Sequence, residues 1–171
     1  LTIKVNKVDL EPAVQAVRAF NMRGVNCTIP HKVEVLKYLD ELSEAAEIIG
    51  AVNTIINNDG KLFGENTDGK GFITALKDAG VSVAGKNITV LGAGGASRAI
   101  SVECALAGAK KLTIANIDKE TGEELVKLIN ERTQADAEFI LWDHPVEVPA
   151  DTDIFVNATS VGLFANVNEK P

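Results

Sequence analysis

The sequence predicts an α/β fold in two domains, and three observations support that prediction. Its 171 residues are 46% hydrophobic, which is enough apolar material for one large domain or two small ones. From Asn87 onward, short apolar runs typical of buried strands alternate with helical stretches, as in parallel sheets with crossover helices. Before Asp68 the pattern differs, with shorter elements and a hairpin. We therefore expect the domain change between Asp68 and Gly85.

The first part of the chain is predicted to be a small mixed α/β domain. Alternating apolar and polar residues indicate its strands, and apolar residues three and four apart indicate its helices. The predicted elements are a strand over 1–5, a helix from Asp9, a strand over 24–29, a helix over 31–39, a short helix from Ser43 to Gly50, strands over 51–57 and 61–65 joined by the turn 58–60, and a helix from Thr67 or Asp68 to Gly80.

The second part is predicted to be a parallel sheet with crossover helices. Its elements are a strand over 88–91, a helix that ends near Ala107, a strand over 112–115, a helix over 119–130, and strands over 137–141 and 154–157. This alternation is typical of doubly wound folds, in which ligands bind outside the carboxyl ends of the strands. A cofactor site is therefore expected in this part of the chain.

Composition excludes several classes of function. The formal net charge is -7 and no cluster of Lys and Arg stands out, so we expect no nucleic-acid binding. The two histidines, His31 and His144, and the two cysteines, Cys27 and Cys104, do not have metal-ligand spacing, so no metal is expected. We find no signal peptide and no apolar run long enough for a membrane span. These features predict a cytoplasmic protein with free, buried thiols.

A glycine-rich turn follows the first strand of the second part. The segment from Gly92 to Arg98 reads GAGGASR. A first glycine permits a tight turn, a second lets the backbone approach a pyrophosphate, and the helix that follows directs its free N–H groups and positive dipole end at phosphate. Ser97 replaces the third glycine of the usual pattern. The strand before and the helix after the turn favour a dinucleotide site over a glycine turn without a ligand.

The end of the next strand bears on which dinucleotide binds. An acidic residue there accepts hydrogen bonds from the adenosine ribose and favours NAD, whereas an Arg accommodates the 2′-phosphate of NADP. The segment reads Asn116-Ile117-Asp118-Lys119, with an acid one or two positions late and no Arg. Asp118 can equally be the N-cap of the following helix, and the two roles are compatible. The sequence thus indicates NADP or NAD and leans toward NAD.

Polar side chains in the first part are candidates for a substrate site. Asn26 and Thr28 lie on one face of a predicted strand, and Lys32 is expected in the first turn of the helix after Pro30. A lysine at a helix N-terminus is disfavoured by the helix dipole, and such local conflicts are typical of functional sites. An ordinary surface lysine is the alternative.

Two further polar groups need an explanation. Asn53 and Thr54 lie inside the apolar run 51–56 and require hydrogen-bond partners if they are buried. Their side chains either stabilise the fold or bind a polyhydroxy ligand. Asp68, at the expected domain change, is either a site residue or a plain helix N-cap.

Five ordered motifs together resemble the shikimate and quinate/shikimate dehydrogenases. Their order and spacing agree with that family along nearly the whole chain. The last motif is in the stretch that the family places near the nicotinamide. The motifs are NCTIPHK at 26–32, GAVNT at 50–54, NTDG at 66–69, GAGGASR at 92–98 and NATSVG at 157–162.

The resemblance implies a partial substrate-binding α/β domain over 1–70, a partial Rossmann-like, doubly wound NAD(P)-binding domain over 71–171, and a cleft between them. It implies reduction of 3-dehydroshikimate to shikimate with NADPH, in aromatic amino-acid biosynthesis, or conversion of the quinate pair with NAD. By the same resemblance, Lys32 and Asp68 form the catalytic pair. The substrate would be held by Asn26, Thr28, Asn53 and Asp68, and the cofactor by Gly92, Ala93, Gly94, Gly95, Ala96, Ser97, Asn116, Asp118, Ala158, Thr159 and Ser160.

The chemistry that the family implies suits these residue types. Hydride transfer to a ketone leaves a developing alkoxide, which needs a proton donor or a cation within hydrogen-bond reach. Lys32 can supply either, and Asp68 can orient Lys32 and accept a bond from a neighbouring hydroxyl. The cofactor supplies the hydride, and the protein supplies position and electrostatics.

The sequence departs from the family pattern at its ends and at Ile117 and Asp118. The family begins with a segment whose two serines bind the substrate carboxylate, and it closes with a helix that contributes a Gln. Neither is in this sequence, so both ends look cut and the isolated chain is expected to be inactive. NADP-using members typically carry Asn-Arg-Thr where this chain has Asn116-Ile117-Asp118.

Three interpretations follow from the sequence. The first is a shikimate dehydrogenase, the second an NAD-preferring quinate/shikimate dehydrogenase, and the third a non-catalytic dinucleotide-binding sensor on the same scaffold. The presence of Lys32 and Asp68 argues against the sensor, which has no need of that pair. The expected partner is a small-molecule substrate. The sequence does not define the oligomeric state, and a homodimer is one assembly that it allows.

Overall fold

A computed structural model describes residues 1–143, 145 and 147–161. The chain divides into two compact units, Leu1–Thr67 and Asp68–Pro171. The boundary between these two units is close to residue 70, the predicted end of the first domain. The binding roles assigned to the two domains stay predictions. No helix in the described part of the chain has the length and apolar character needed to cross a membrane.

A mixed four-stranded sheet organises the first unit. Its strands are β1 (Gly24–Asn26), β2 (Glu41–Leu42), β3 (Thr54–Asn58) and β4 (Lys61–Glu65), in the order β1-β3-β4-β2. β3 pairs antiparallel with β1 and β4, and β2 runs parallel to β4. The hairpin between β3 and β4 turns at Asp59 and Gly60, both with positive φ, as the sequence predicted for this tight turn.

Two α-helices of the first unit, α1 (Leu10–Ala19) and α2 (Glu44–Ile49), pack against this sheet or its connections. α2 has the predicted ends. The hydroxyl of Ser43 accepts the N–H of Ala46 as an N-cap, and Gly50 closes the helix with a φ of 70°. The core of the unit contains Leu10, Val14, Val17, Val35, Ala46, Val52, Ile55 and Leu62.

Two predicted elements of the first unit are wrong. Residues 1–5 form no strand, because no described strand pairs with them, and the carbonyl of Val5 instead interacts with His31 Nε2 at 2.9 Å. The predicted helix over 31–39 is a short 3-10 helix, Glu34–Tyr38, preceded by turns. This segment contains β-branched residues and is short, and both features disfavour an α-helix. The predicted strand over 24–29 ends early, at Asn26.

A parallel four-stranded sheet organises the second unit. Its strands are β5 (Asn87–Leu91), β6 (Lys111–Asn116), β7 (Asp136–Leu141) and β8 (Ile154–Asn157), in the order β7-β6-β5-β8. β5 therefore has β6 on one side and β8 on the other. From β5 the chain runs to β6 and then to β7 at one edge of the sheet, and it returns to form β8 on the other side of β5. This reversal of strand order is a topological switch point, the usual place for a ligand in such folds.

Three helices accompany this sheet: α3 (Thr67–Asp78), α4 (Gly95–Leu106) and α5 (Lys119–Arg132). Phe72, Ile73 and Leu76 of α3 pack against the core of the second unit, and their spacing places them on one face of the helix. The fully buried members of that core come from the strands and from α4 and α5, and they include Ile88, Val90, Cys104, Leu112, Ile114, Leu125 and Ile129.

Candidate active site

A chain of hydrogen bonds joins the predicted polar residues of the first unit. Asn26 Nδ2 donates to Thr54 Oγ1 at 3.2 Å, and Thr54 Oγ1 donates to Asn53 Oδ1 at 3.0 Å. Asn53 Nδ2 donates to Thr67 Oγ1 at 3.0 Å, and the backbone N–H of Thr67 donates to Asn53 Oδ1 at 2.9 Å. Asn53 is only 9% exposed, and these partners explain how a polar side chain occupies an apolar run.

The strand register brings these polar residues together. Asn26, the last residue of β1, is opposite Thr54, the first residue of β3, and Thr54 is opposite Glu65, the last residue of β4. The carboxylate of Glu65 accepts the hydroxyl of Ser43 at 2.6 Å and the N–H of Asn66 at 2.8 Å. The ends of three adjacent strands thus form one polar edge, with its side chains held by hydrogen bonds.

Lys32 lies in a turn next to this edge. It is not in the first turn of a helix, so the helix-dipole argument made for it from the sequence is wrong. Its carbonyl accepts the N–H of Val52 at 2.8 Å, which ties the turn to the residue before Asn53. Burial raises the pKa of the Cys27 thiol, and the positive charge of Lys32 partly offsets that rise. Through the bond to Val52, the backbone of Lys32 is therefore fixed beside the segment that leads into β3.

Thr28 lies beyond the end of β1, so the prediction that it shares a strand face with Asn26 is wrong. Its carbonyl accepts the N–H of His31 at 2.9 Å, which closes the turn before Lys32. The side chain of Thr28 is exposed. Thr28 and Lys32 are therefore held at the two ends of one turn.

Asp68 is the second residue of α3, which begins at Thr67, so it is not the N-cap of that helix. Its side chain is exposed, and an acid in a first helical turn is favoured by the helix dipole. The glycine that follows has a packing role. A Cβ at Gly69 would lie 2.3 Å from the carbonyl oxygen of Ala99, so only glycine permits this approach of α3 to α4.

Gly92 opens the turn after β5 with a φ of 97°, a conformation that favours glycine. Its N–H donates to the carbonyl of Ala115 at 2.7 Å, and a Cβ built on it would lie 3.1 Å from the carbonyl oxygen of Ala158. The hydroxyl of Ser97 donates to the carbonyl of Gly92 at 2.6 Å, and the Ser97 side chain is fully buried. The Ser97 side chain therefore holds the turn together, and only its backbone could serve a ligand.

The space around Gly94 and Gly95 fits a pyrophosphate. A Cβ built at either residue meets nothing within 4 Å, so the backbone is open to a ligand here. Gly94 is the N-cap of α4 and supplies no side-chain cap. The first N–H groups of α4 have no partner within the helix, and the positive end of the helix dipole lies among them. The residues present therefore suit a phosphate group, as the sequence predicted for 92–97.

The turn after β6 is held by three polar side chains. The carboxylate of Asp118 accepts the N–H of Thr121 at 2.9 Å and the hydroxyl of Thr121 at 2.7 Å, which makes Asp118 the N-cap of α5. These hydrogen bonds lower the pKa of Asp118. Asn116 Nδ2 donates to the carbonyl of Asp118 and to Thr121 Oγ1, both at 2.9 Å. The N-cap alternative for Asp118 is thus confirmed.

The segment after β8 forms a second tight turn beside Gly92. The side-chain oxygen of Asn157 accepts the N–H and the hydroxyl of Thr159, at 3.0 Å and 2.8 Å. The N–H of Ala158 donates to the carbonyl of Leu91 at 3.0 Å. The three stretches predicted to bind the cofactor therefore lie at the carboxyl ends of three adjacent parallel strands. Residue 162, the last of the NATSVG motif, lies outside the described residues.

Thr121 and Thr67 hold these sites together by hydrogen bonds, and neither was predicted from the sequence to be a site residue. Thr121 follows Asp118 by three residues, the spacing of an N-cap and its N–H donor, so a local signal was available for it. Thr67 anchors Asn53 from 14 residues away, and no local pattern indicates such a pair. Within the described residues, we find no group of three or more His, Cys, Asp or Glu side chains that could hold a metal ion.

Comparison with known proteins finds similarity to shikimate dehydrogenases. A family model, the shikimate dehydrogenase substrate binding domain, matches residues 1–55. A shikimate dehydrogenase (NADP(+)) of Desulforamulus reducens is 44% identical over 171 aligned residues, which cover 98% of this chain and 59% of the relative. The chain is thus similar to shikimate dehydrogenases along nearly its whole length. It spans less than two thirds of the length of the curated relatives that it matches.

Solved structures of similar proteins share the fold. Shikimate 5-dehydrogenase of Listeria monocytogenes, solved in complex with shikimate and NAD, is 40% identical with a TM-score of 0.91, covering 98% of this chain and 60% of that one. The ligand-free 5-ketofructose reductase of Gluconobacter sp. strain CHM43 is 48% identical with a TM-score of 0.91, covering 94% of this chain and 58% of that one. The predicted α/β fold class with a Rossmann-like domain is confirmed.

We predict that Thr67→Val destabilises the first unit by about 1 kcal/mol, because the buried amide of Asn53 loses a hydrogen-bond partner. Thr67→Ser keeps the hydroxyl and is the matched control. Chemical denaturation followed by circular dichroism measures both variants. Equal stability of the Val and Ser variants would show that the Asn53–Thr67 contact contributes nothing.

A second pair of variants tests the glycine turn. Gly94→Ala is expected to fold normally and to weaken NADH binding at least about tenfold, because its methyl group occupies space that a pyrophosphate must enter. Gly92→Ala is expected to lose about 1–3 kcal/mol of stability from backbone strain at positive φ. Thermal unfolding and NADH fluorescence titration separate the two effects. Unchanged NADH affinity in Gly94→Ala argues against a pyrophosphate at this turn.

Proposed function

We propose that the full-length protein catalyses the reversible, NAD(P)H-dependent reduction of 3-dehydroshikimate to shikimate. One observation carries the proposal. The hydrogen-bonded chain Asn26–Thr54–Asn53–Thr67 adjoins the Lys32 turn, in a polypeptide aligned over 98% of its length with a shikimate dehydrogenase. The structure of the Listeria relative with shikimate and NAD supports this substrate and a nicotinamide cofactor.

Lys32 is assigned the proton transfer. When a ketone is reduced, negative charge develops on its oxygen and must be neutralised by a proton donor or a cation. The ammonium group of Lys32 can donate that proton, and in the reverse direction the neutral amine can take it from the substrate hydroxyl. The Lys32–Val52 backbone hydrogen bond fixes the turn from which this side chain extends.

Hydroxyl recognition is assigned to Asn26, Thr28, Asn53 and Asp68. Asn26, Thr28 and Asp68 have exposed side chains, whereas Asn53 is buried and bonded on both sides of its amide. In this proposal Asp68 accepts a hydrogen bond from a substrate hydroxyl. Asn53 supplies an amide of fixed orientation, which lowers the entropy cost of holding a polyhydroxy ring.

The second unit is assigned to the dinucleotide. Bound NAD(P)H supplies the hydride, and the chain supplies its binding surface. The N–H groups at Gly94 and Gly95 would face the pyrophosphate, with Ala93, Ala96 and the backbone of Ser97 completing the turn. Asn116 and Asp118 would lie at the adenosine ribose. Ala158, Thr159 and Ser160, next to β5, would line the nicotinamide end.

We expect Lys32→Met to lower kcat for 3-dehydroshikimate reduction by about 10²- to 10⁴-fold in the full-length protein, the range for loss of a general acid. Lys37→Met is the matched control. Lys37 is exposed, lies five residues further along the chain and pairs with Glu34 at 2.7 Å, so its loss is expected to leave kcat unchanged. Steady-state kinetics measure both variants. Undiminished turnover in Lys32→Met would disprove the catalytic assignment.

A second candidate function is reduction of an uncharged sugar ketone. It is favoured by the 48% identity to the solved 5-ketofructose reductase, compared with 40% for the solved Listeria shikimate 5-dehydrogenase. Both substrates are ketones that carry several hydroxyls, so the same amide and hydroxyl groups suit either one. They differ in charge, because 3-dehydroshikimate carries a carboxylate and 5-ketofructose carries none.

A comparison of kcat/KM for 3-dehydroshikimate, 3-dehydroquinate and 5-ketofructose separates these functions. We expect 3-dehydroshikimate to exceed 5-ketofructose by at least about tenfold, since a site that binds a carboxylate discriminates strongly against a substrate that lacks one. Preference for 3-dehydroquinate would identify the quinate pair as the substrate, and preference for 5-ketofructose the sugar ketone. Dinucleotide binding without turnover of any of the three would instead indicate the sensor.

A further inference from the structure

We infer that the protein uses NAD(H) and rejects NADP(H), and that Asp118, positioned by Thr121 and Asn116, makes that choice. The inference rests on the proposed function only in requiring that a nicotinamide dinucleotide binds. The relatives named shikimate dehydrogenase (NADP(+)) carry the opposite cofactor in their name. The inference therefore distinguishes this chain from those relatives.

The position of Asp118 in the fold supports this role. β6 follows the glycine turn and α4, and it lies directly beside β5 in the parallel sheet. In sheets of this type the adenosine ribose lies outside the carboxyl end of the strand that follows the glycine-turn helix. β6 ends at Asn116, and Asp118 follows in the connection to α5. Asp118 thus lies just past the carboxyl end of β6, in the connection that a ribose at this position would face.

The hydrogen bonds to the Asp118 carboxylate involve one of its two oxygens. Both hydrogen bonds from Thr121, the one from its N–H and the one from its hydroxyl, reach the same oxygen, Oδ1 of Asp118. Asn116 Nδ2 bonds to Thr121 Oγ1 and to the Asp118 carbonyl, which holds the hydroxyl in place. Within the described part of the chain, no hydrogen bond is found to Oδ2 of Asp118. One oxygen therefore fixes the side chain, and the other can accept bonds from ribose hydroxyls.

The charged residues around Asp118 also bear on which dinucleotide binds. The segment 116–124 contains four acids and one cation, Lys119. Lys119 lies 3.7 Å from Glu123, and Arg98 of α4 donates to Glu124 at 3.0 Å, so each of these two cations faces an acid. A 2′-phosphate carries close to two negative charges at neutral pH. It would meet the Asp118 carboxylate, whereas a 2′-hydroxyl would donate a hydrogen bond to it.

The test is equilibrium binding of NADH and NADPH to the full-length protein, followed by nicotinamide fluorescence without substrate. We expect NADPH to bind at least about tenfold more weakly than NADH, because like charges in contact disfavour a complex strongly. Asp118→Asn separates the two roles of this residue. Asn is as good an N-cap as Asp, so α5 keeps its start while the charge is lost. The ratio of the NADPH and NADH dissociation constants is expected to fall toward one.

Two controls accompany this variant. Glu131→Gln removes one negative charge at the far end of α5, where Glu131 lies 3.8 Å from Lys127, and is expected to leave the ratio unchanged. Thr121→Val removes the hydroxyl that positions Asp118 and is expected to weaken NADH binding, and Thr121→Ser is expected to restore it. A general loss of stability would weaken both dinucleotides equally and leave their ratio unchanged.

Equal or tighter binding of NADPH by the unaltered protein would overturn the inference and leave the proposed reduction of 3-dehydroshikimate standing. A ratio that Asp118→Asn does not change would overturn the role of Asp118. Absence of binding by both dinucleotides would overturn this inference together with the proposed function. A high ratio that falls in Asp118→Asn, with thermal unfolding unchanged, supports the inference.

Discussion

The pairing of β5 with β6 on one side and β8 on the other is the constraint on which the second unit depends. Parallel strands have their carboxyl ends at one edge, so this pairing alone brings the Gly92 turn, the Asp118 turn and the Asn157 turn to the same place. The hydrogen bonds inside each turn then fix local geometry. A ligand long enough to reach from one turn to the others is the kind of ligand that such an edge suits.

The first unit reaches a similar result by a different route. Its polar edge is made by antiparallel register, with Asn26, Thr54 and Glu65 at the ends of adjacent strands. Here the side chains bond to one another, and Asn53 is the centre of that network. Because the amide of Asn53 is buried, its orientation is set by the fold itself, so a ligand that bonded to it would not need to order it.

The elements that could be predicted from the sequence are those whose physical signal is local. Ser43 and Gly50 bound α2 as expected, because an N-cap oxygen and a left-handed glycine act on the adjacent backbone. Residues 1–5 alternate like a strand, but a strand also needs a neighbour, and the sequence does not reveal whether one is present. The Lys32 turn was mistaken for a helix for a related reason, since propensity over a short segment is weak. The Asn53–Thr67 bond joins residues distant in sequence, so only the fold reveals it.

The two cysteines have very different chemical accessibility. Cys104 is fully buried in the core of the second unit, and burial, reinforced by the charge of Glu103, raises its pKa to about 12, so alkylating reagents have neither access nor a thiolate to attack. Cys27 is partly exposed, and Lys32 partly offsets the rise in its pKa. The unmodified chain thus offers a single point of attachment for a fluorophore or spin label, located beside the residue assigned to proton transfer.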